Sequence, residues 1–393
     1  MEEKEFSVDD IIAEVNAGLL DEPAPETERK LPLDKKEKKM KKECPAGTGK
    51  VLKVLGKVGL VLLETVLLVV IALYGVMFVL AKGPSPTARN LFVMSVQETS
   101  AMGWLANLYF TEEEIAAMKT GGEDAVYEET DTSLIQIATP VVDDTLGPQP
   151  DAWGLIDDDG DGIIIQPVKG DGYSGYMMVV LDPSRVIMGS VPSSFGVRGY
   201  TVEEMVDHYG AVAGTNAGGF YDPDGTGNGS IPDSMVVFEG EIYYEHKGVR
   251  DGFVGIDSNY ILHVGKLTPE DVRERDIQYG VCFGPVLINN GEPCEVNSSG
   301  LNPRTAIGQR SDGAILLLVI DGRQVISMGA TYQDLIDVFL EYGAVNACNL
   351  DGGSSSLMWY NDAYVNNCAS VIGIRPVPTT FLVLPEGVNG DEE

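Results

Sequence analysis

The most apolar stretch of the chain covers residues 58–80 and carries a single charge, Glu64. At about 1.5 Å of rise per residue, a helix of this length crosses a hydrocarbon core of about 30 Å. Lys57 and Lys82 bracket the stretch, as is typical of residues anchored at the two membrane interfaces. The pattern predicts a transmembrane helix within residues 51–82, in contact with the lipid bilayer. A buried core helix is the alternative.

The chain before this stretch has the opposite character. Residues 1–50 contain many Glu and Lys and few aromatic side chains, which predicts a disordered tail. Nine lysines lie between Lys35 and Lys57, and by the positive-inside bias they predict a cytoplasmic N-terminus. We therefore expect a single-pass protein of the cell membrane, with everything after Lys82 outside the cytoplasm. A cleaved signal peptide fits less well, because the preceding tail is too long.

The chain after the apolar stretch begins with a helical pattern. Apolar residues recur at helical spacing through residues 87–119, and Thr111 followed by Glu114 has the form of a capped helix start. Residues 120–152 are rich in Gly, Asp, Thr and Pro, which is typical of a linker. We interpret residues 83–150 as a juxtamembrane stalk and linker.

Residues 151–387 have a different sequence pattern, in which short apolar runs alternate with turns containing Gly, Asp and Asn. Four of these runs predict strands: Tyr176–Leu181, Met235–Phe238, Ile315–Ile320 and Thr380–Leu384. Helical spacing appears at Thr201–Tyr209 and at Tyr332–Tyr342, with Thr331 as the N-cap of the second. Strands mixed with few helices predict an α+β domain on a mixed, mostly antiparallel sheet.

Charge and cysteine content limit the classes of partner. Residues 83–393 contain 14 Lys and Arg against 46 Asp and Glu, and this negative field disfavours nucleic acid. An anionic substrate would need a local basic pocket. Cys282, Cys294, Cys348 and Cys368 follow the apolar stretch, and their spacing matches no zinc motif. Disulfides and free thiols both remain open for these four residues.

Three segments combine glycine with polar groups suited to an anionic ligand. In Asn346–Ser356, which reads N-A-C-N-L-D-G-G-S-S-S, glycines would let backbone N–H groups approach an anion. Arg304, in N-P-R-T-A-I-G-Q, offers a guanidinium that matches two phosphate oxygens, with a structural ion pair as the alternative. Arg323 follows in D-G-R, which is also a common tight turn. In Thr215–Tyr221, paired glycines precede aromatic rings that could stack on a sugar or simply be buried.

Together these segments resemble a known family. The order N-A-G-G-F, N-P-R-T-A-I-G-Q, D-G-R and N-L-D-G-G-S-S-S is similar to that of the phosphodiester glycosidases, over roughly residues 170–385. The resemblance implies hydrolysis at the anomeric carbon of a sugar linked through phosphate, with no required cofactor. The chain departs from the pattern at Ala217, which separates Asn216 from the glycine pair, and at Ser354, where a third glycine is frequent.

The resemblance also implies roles for individual residues. Asp351 would be the essential carboxylate and Arg304 would hold the phosphate. Further contacts to the sugar or phosphate would come from Asn216, Gly218, Gly219, Gln309, Asp321, Arg323, Asn349, Gly352, Gly353, Ser354 and Ser355. The expected substrate is a sugar 1-phosphodiester in envelope polysaccharide or a related phosphorylated glycan. The alternative function is a non-catalytic module that binds such a glycan during polysaccharide assembly or export.

One acidic loop stands apart from these segments. Asp157, Asp159 and Asp161 alternate ahead of Gly162, like the opening of a calcium loop. Val168, however, stands where an EF-hand has its bidentate Glu. We interpret the loop as a solvated acidic turn, with a calcium site as the alternative. The three histidines are scattered and give no support to a zinc hydrolase, and no G-x-S-x-G motif supports an α/β-hydrolase.

Overall fold

The structure is a computed structural model that describes residues 48–99, 102–119, 125–137, 148–222, 227–244, 252–370 and 373–387. The predicted disordered tail, residues 1–50, lies outside these ranges except for its last three residues. The chain divides into two compact units, Met1–Val69 and Val70–Glu393. The described part of the first unit consists of helical residues from Thr48 onward.

The first helix, α1, covers Thr48–Lys82. Within it, Lys53–Lys82 is long and apolar enough to cross a membrane, by length and composition. The most apolar window of this stretch is 0% buried in the structure. The alternative of a buried core helix therefore finds no support in the described residues.

Three short helices follow in the second unit: α2 (Pro86–Gln97), α3 (Trp104–Asn107) and α4 (Glu112–Met118). The predicted helix start at Thr111 is confirmed, because Thr111 and Glu114 form a reciprocal capping box. Buried side chains join these helices to the end of α1: Ala81, Val93, Met94, Ala106, Tyr109, Phe110 and Ile115. The last turns of α1 and α2–α4 thus share one small apolar core.

The remainder of the second unit contains three sheets, and every described strand pair in them is antiparallel. The first has the order β1 (Ile163–Gly170), β2 (Tyr173–Val180), β13 (Ile315–Ile320), β12 (Arg304–Arg310), β14 (Ala344–Asn349), β10 (Val286–Asn289), β11 (Glu292–Pro293). The predicted α+β class is confirmed, with antiparallel rather than mixed sheets.

The other two sheets have five strands each. The second has the order β16 (Ala363–Tyr364), β15 (Met358–Tyr360), β4 (Ala213–Asn216), β17 (Thr379–Val383), β3 (Val186–Ser190). The third has the order β6 (Glu241–Tyr244), β5 (Val236–Phe238), β9 (Ile277–Phe283), β7 (Gly252–Asp257), β8 (Leu262–Gly265). The predicted strands are confirmed as β2, β5, β13 and β17; β13 has the predicted bounds, and the other three differ at their ends.

Three further helices belong to this domain: α5 (Val202–Tyr209), α6 (Pro269–Glu274) and α7 (Tyr332–Glu341). Each begins at a threonine that forms a capping box with the third residue of the helix. Both predicted helices are therefore confirmed as α5 and α7, and Thr331 is the N-cap of α7.

Strand β13 lies at the centre of the core. Its residues alternate between two apolar clusters, so that Ile315, Leu317 and Val319 face one and Leu316 and Leu318 face the other. The second cluster includes buried residues of α7, and the first includes residues of the second and third sheets. Because both faces of β13 are covered, its sequence is continuously apolar rather than alternating.

Described parts of the predicted linker contact this domain. Glu128 N donates a hydrogen bond to Asn289 Oδ1 (2.9 Å). Gln136 N donates to Ser311 O (2.8 Å). These residues lie along the first sheet instead of extending away from it.

The four cysteines in the described residues are free thiols. Cys348 is fully buried, and burial raises the pKa of its thiol. Burial also raises the pKa of the Cys294 thiol, to about 11. Thiols in this state are weak nucleophiles at neutral pH.

Candidate active site

The turn that follows β14, residues 351–354, is fixed against the start of β12. Gly353 N donates a hydrogen bond to Pro303 O (2.9 Å). A Cβ atom added to Gly352 would lie 2.8 Å from Pro303 O, closer than real Cβ contacts come. Glycine at this position is therefore required by the close approach of two backbone segments.

Asn216 lies beneath this turn. Its Nδ2 donates to Asp351 O (2.6 Å), and its Oδ1 accepts from Thr305 Oγ1 (2.8 Å) and Leu357 N (3.1 Å). The neighbouring Ala217 O accepts from Asp351 N (3.0 Å). The side chain of Asn216 is fully buried and directed at protein groups, so it fixes the backbone of Asp351.

A cavity of about 720 Å³ opens at the same turn. Several predicted site residues line it: Arg304, Arg323, Asn349, Asp351, Gly352, Gly353, Ser354 and Ser355. Arg304 and the turn of residues 351–354, which are distant in sequence, thus line one cavity. Its volume is in the range typical of small-molecule sites.

Gln309 lies outside the lining of this cavity. Its Nε2 donates to Tyr260 O (2.8 Å) and Gly313 O (2.9 Å), and its Oε1 accepts from Leu262 N (2.7 Å). The side chain is fully buried and connects the first sheet to the third. Its hydrogen bonds support the fold.

Asp321, Gly218 and Gly219 also lie outside the lining. Asp321 Oδ1 accepts from Asn366 Nδ2 (3.1 Å), which fixes a loop of the second sheet. A Cβ atom added to Gly219 would lie 2.8 Å from the ring of Phe283, and Phe283 does line the cavity. The absence of a side chain at Gly219 thus allows this ring to pack close to the backbone.

Arg304 is bound by protein groups on several sides. Its Nη2 donates to Glu98 Oε2 (2.7 Å) and Gly300 O (2.8 Å), and its Nε donates to Ala330 O (3.0 Å). The guanidinium lies 4.4 Å from the centre of the Tyr332 ring. The structural ion pair, which the sequence leaves open as the alternative for Arg304, is present.

Glu98, the partner of Arg304, caps the C-terminus of α2. Its Oε1 accepts from Gly300 N (3.0 Å) and its Oε2 also accepts from Asn302 Nδ2 (2.9 Å). Glu98, Thr99 and Met102 line the cavity. The segment at and after the end of α2 therefore forms one wall of the site, and no sequence motif points to this wall.

Arg323 lies in the same wall with a left-handed backbone (φ 57°). Its Nη2 donates to two uncharged oxygens, Thr99 Oγ1 (3.0 Å) and Asn302 Oδ1 (3.4 Å). A Cβ atom added to Gly353 would lie 3.3 Å from the same Nη2, so the guanidinium lies against the glycine turn. Burial and the nearby charge of Arg304 lower the pKa of Arg323. Within the described ranges, no carboxylate forms an ion pair with it.

Arg375 on the opposite wall is neutralised by Asp222. Its Nη1 and Nη2 donate to the two carboxylate oxygens at 2.9 and 2.7 Å, and Nη1 also donates to Ser354 Oγ (3.2 Å). The guanidinium lies 5.0 Å from the centre of the Phe220 ring. Burial tends to raise the pKa of Asp222, but hydrogen bonds from Arg375 and Gly227 N outweigh it and lower the pKa. Residues 83–393 contain few Lys and Arg, and this scarcity is the sequence signal that could have identified Arg375 as a candidate site residue.

Asn349 belongs to the cavity lining, but its side chain is buried. Its Nδ2 donates to Gly284 O (2.7 Å), while its buried Oδ1 has no hydrogen-bond partner. A buried polar atom without a partner costs free energy.

The acidic loop is separate from the cavity. Carboxylate oxygens of Asp157, Asp159 and Asp161 lie within 4.8 Å of one another. Asp157 Oδ2 accepts from Gly162 N (2.9 Å), and Asp161 Oδ2 accepts from the Tyr360 hydroxyl (2.8 Å). Burial raises the pKa of Asp157. Oxygens of the loop thus accept hydrogen bonds from nearby protein donors. A calcium site in this loop stays the untested alternative to a solvated acidic turn.

Comparison with known proteins gives a family match within the domain. The family model described as phosphodiester glycosidase matches residues 209–384. The SPbeta prophage-derived uncharacterized protein YomE of Bacillus subtilis (strain 168) is 30% identical over 200 residues, which are 47% of this chain and 30% of that protein. The N-acetylglucosamine-1-phosphodiester alpha-N-acetylglucosaminidase of Mus musculus is 25% identical over 217 residues, 49% of this chain and 41% of that protein. The chain thus spans less than half the length of these relatives.

Solved structures show weaker likeness. The catalytic domain of zebrafish N-acetylglucosamine-1-phosphodiester alpha-N-acetylglucosaminidase, auto-inhibited by its pro-peptide, aligns with a TM-score of 0.48 and 18% identity. The alignment covers 67% of this chain and 96% of that one. A putative exported protein from Burkholderia pseudomallei K96243 aligns with a TM-score of 0.39 and 17% identity, over 54% of this chain and 74% of that one.

Proposed function

We propose, from the premise that residues 209–384 are a phosphodiester glycosidase domain, that this chain hydrolyses a sugar 1-phosphodiester at its glycosyl C–O bond. Members of the family are glycosidases that act on phosphodiester-linked sugars. For this chain, the products would be a free sugar and a phosphomonoester. The cavity at the turn of residues 351–354 would be the active site.

The observation that carries the proposal is the state of Arg323. Arg323 is a solvent-accessible residue whose guanidinium lies beside the glycine turn, and in the described structure its charge is not neutralised by an ion pair. Glu98, the nearby carboxylate, is hydrogen-bonded to Arg304. A phosphate group bound here would supply the missing negative charge, and guanidinium matches its oxygens. We therefore assign phosphate binding to Arg323, with Arg304 supporting the wall behind it.

The reaction assigns complementary roles to the other residues of the turn. Water would add to the anomeric carbon as the C–O bond to phosphate breaks, and the proton released would end on the phosphomonoester. Asp351 would act as nucleophile, base or stabiliser of positive charge on the sugar. Because phosphate is a good leaving group, the demand for a general acid is reduced.

The location of the reaction follows from the proposed membrane span. If α1 crosses the membrane with its lysine-rich side in the cytoplasm, the domain lies outside the cytoplasm. The substrate would then belong to the cell envelope, as a phosphorylated polysaccharide or a related glycan. N-acetylglucosamine is the first sugar to test, because it is in the name of the matched mouse enzyme.

The test uses the purified full chain in detergent with an N-acetylglucosamine 1-phosphodiester. Reducing sugar and phosphomonoester are measured together. Because one preorganised electrostatic donor contributes about 10²- to 10³-fold to turnover, Arg323→Ala should lose about that factor, and Asp351→Asn at least as much. Arg323→Lys should retain part of the activity, since it keeps the charge without the planar fork.

The control is Arg198→Ala, which removes an exposed arginine that is paired with Glu204 and does not line the cavity. It should leave turnover unchanged. Hydrolysis in water enriched in heavy oxygen should label the sugar; label in the phosphate would mean P–O cleavage by a phosphodiesterase. Binding of the diester without turnover, across a panel of sugars, would support a non-catalytic glycan-binding module instead.

A further inference from the structure

One stretch of chain contacts both the cavity and the end of the apolar helix. Glu98, Thr99 and Met102 line the cavity. A few residues later, the Tyr109 hydroxyl donates to Tyr74 O (3.4 Å) and the rings of Tyr109 and Tyr74 lie 5.6 Å apart. These contacts fix the cavity wall to the last turns of α1.

The position of this contact along α1 follows from the number of residues between Tyr74 and Lys82. Tyr74 lies eight residues before Lys82, which is about 12 Å at helical rise, and Lys82 Nζ lies 4.2 Å from the centre of the Phe110 ring. The stretch Lys53–Lys82 has 30 residues, whereas a span needs about 20. If α1 crosses a membrane with Lys82 at the interface, Phe110 beside Lys82 also lies at the membrane–water interface.

The same segment presents apolar side chains to its surroundings. Trp104 and Leu108 are 59% and 55% exposed. They are four residues apart, which in a helical segment places them on one side. Trp is enriched at membrane interfaces, where its ring lies at the level of the headgroups. Two Cα–Cα steps separate Met102 from Trp104, so the cavity lining lies within about 8 Å of this exposed surface.

We infer that the substrate is a sugar phosphodiester carried by a membrane lipid. The sugar and phosphate enter the cavity while the lipid stays in the bilayer. The inference rests on the proposed hydrolase and on the proposed span of α1. Residues 83–393 have 46 acidic against 14 basic side chains, so contact with the bilayer must come from apolar groups such as Trp104 and Leu108. Met102, 47% exposed in the cavity lining, would contact the first carbons of the lipid.

The experiment compares two substrates with the same sugar and phosphate. The full chain is reconstituted into phosphatidylcholine vesicles. One N-acetylglucosamine 1-phosphodiester carries a long-chain fatty alcohol and is incorporated in the same vesicles, and the other carries methanol and is dissolved. We expect the wild-type rate at equal bulk concentration to be higher on the lipid diester by at least about tenfold, because the cavity and the lipid phosphate lie at one surface.

Variants separate surface contact from chemistry. Trp104→Ser with Leu108→Ser should lower the rate on the lipid diester by about tenfold, the effect of losing one apolar contact of this size with the bilayer. The rate on the methyl diester should stay within about twofold of wild type, because neither side chain lines the cavity. Leu340→Ser, at a position 42% exposed on α7, is the matched control and should change neither rate. Circular dichroism confirms that the variants are folded.

The outcomes are distinguishable. Turnover of the methyl diester without preference for the lipid diester overturns the lipid substrate and leaves the hydrolase in place. Faster turnover of a phosphorylated polysaccharide than of the lipid diester also overturns it. Failure on both diesters contradicts the hydrolase and this inference together. If the double variant does not fold, the relative rates of the wild-type protein on the two diesters still test the lipid substrate.

Discussion

Glu98 and Arg304 form an ion pair whose side chains are only 24% and 6% exposed. Removing one partner from such a pair leaves the other charge without compensation in a medium that solvates it poorly. Glu98→Ala should therefore lower the free energy of unfolding by about 3 kcal/mol, whereas Glu98→Gln, which keeps the side-chain shape and one acceptor oxygen, should lower it less. Thermal unfolding of the full chain in detergent measures both.

The matched control for this prediction is Arg198→Ala, which breaks an ion pair whose side chains are 54% and 45% exposed and leaves the capping box of Glu204 intact. Exposed pairs contribute less than about 1 kcal/mol. If Glu98→Ala and Arg198→Ala shift the melting temperature equally, Arg304 is not held by Glu98 in the way the structure shows.

The two arginines show what sequence can and cannot assign at this scale. Both Arg304 and Arg323 are predicted as cavity residues, and both line it. Which of them is neutralised depends on Glu98, which is 206 positions from Arg304 in the chain and belongs to no motif. Long-range pairing of single charges leaves no local pattern, so the sequence could not separate the two roles.

At the scale of elements, Asp222 and Arg375 connect the loop after β4 to the loop before β17. Burial opposes the charge of Asp222, but hydrogen bonds from Arg375 hold its pKa below the usual value of 3.8. A carboxyl whose pKa is lowered by folding stabilises the folded state above its unfolded pKa, and this contribution is lost as pH falls through the folded value. Stability should thus decline below about pH 4 in part through this pair.

Asp222→Asn tests this dependence. The variant should be less stable than wild type at pH 7, and the difference should shrink as pH falls below about 4, because the wild-type carboxylate becomes protonated there. Denaturant unfolding across this pH range gives the comparison. A difference that is constant with pH would mean that shape, not charge, connects the two loops.

Elements with local signals were predicted well. Thr331 caps a helix as predicted, the helical spacing at Thr201–Tyr209 corresponds to α5, and β13 has the bounds Ile315–Ile320 that its apolar run predicts. The attachment of α2 to the cavity was not predicted. It depends on contacts such as Ser95 Oγ accepting from Leu301 N (2.9 Å), which join distant segments of the chain. Periodicity reports which residues form a helix, not what the helix packs against.

At the scale of the whole molecule, the uneven charge predicts topology. Nine lysines lie between Lys35 and Lys57, and the excess acidic residues lie after Lys82. We expect the C-terminus to be accessible from outside the cell and the N-terminus to be protected. Chains with an epitope tag at one end or the other, treated with protease on intact cells, give the measurement. Permeabilised cells are the control, and cleavage of the N-terminal tag on intact cells would contradict this orientation.

The wall formed by Glu98, Thr99 and Met102 lies well before residue 209, where the family match begins. A fragment trimmed to the match would leave Arg304 facing solvent and the cavity open along one side. The smallest piece of this protein worth expressing for crystals or assays therefore starts at the N-cap of α2, Ser85, whether or not the helix before it is retained.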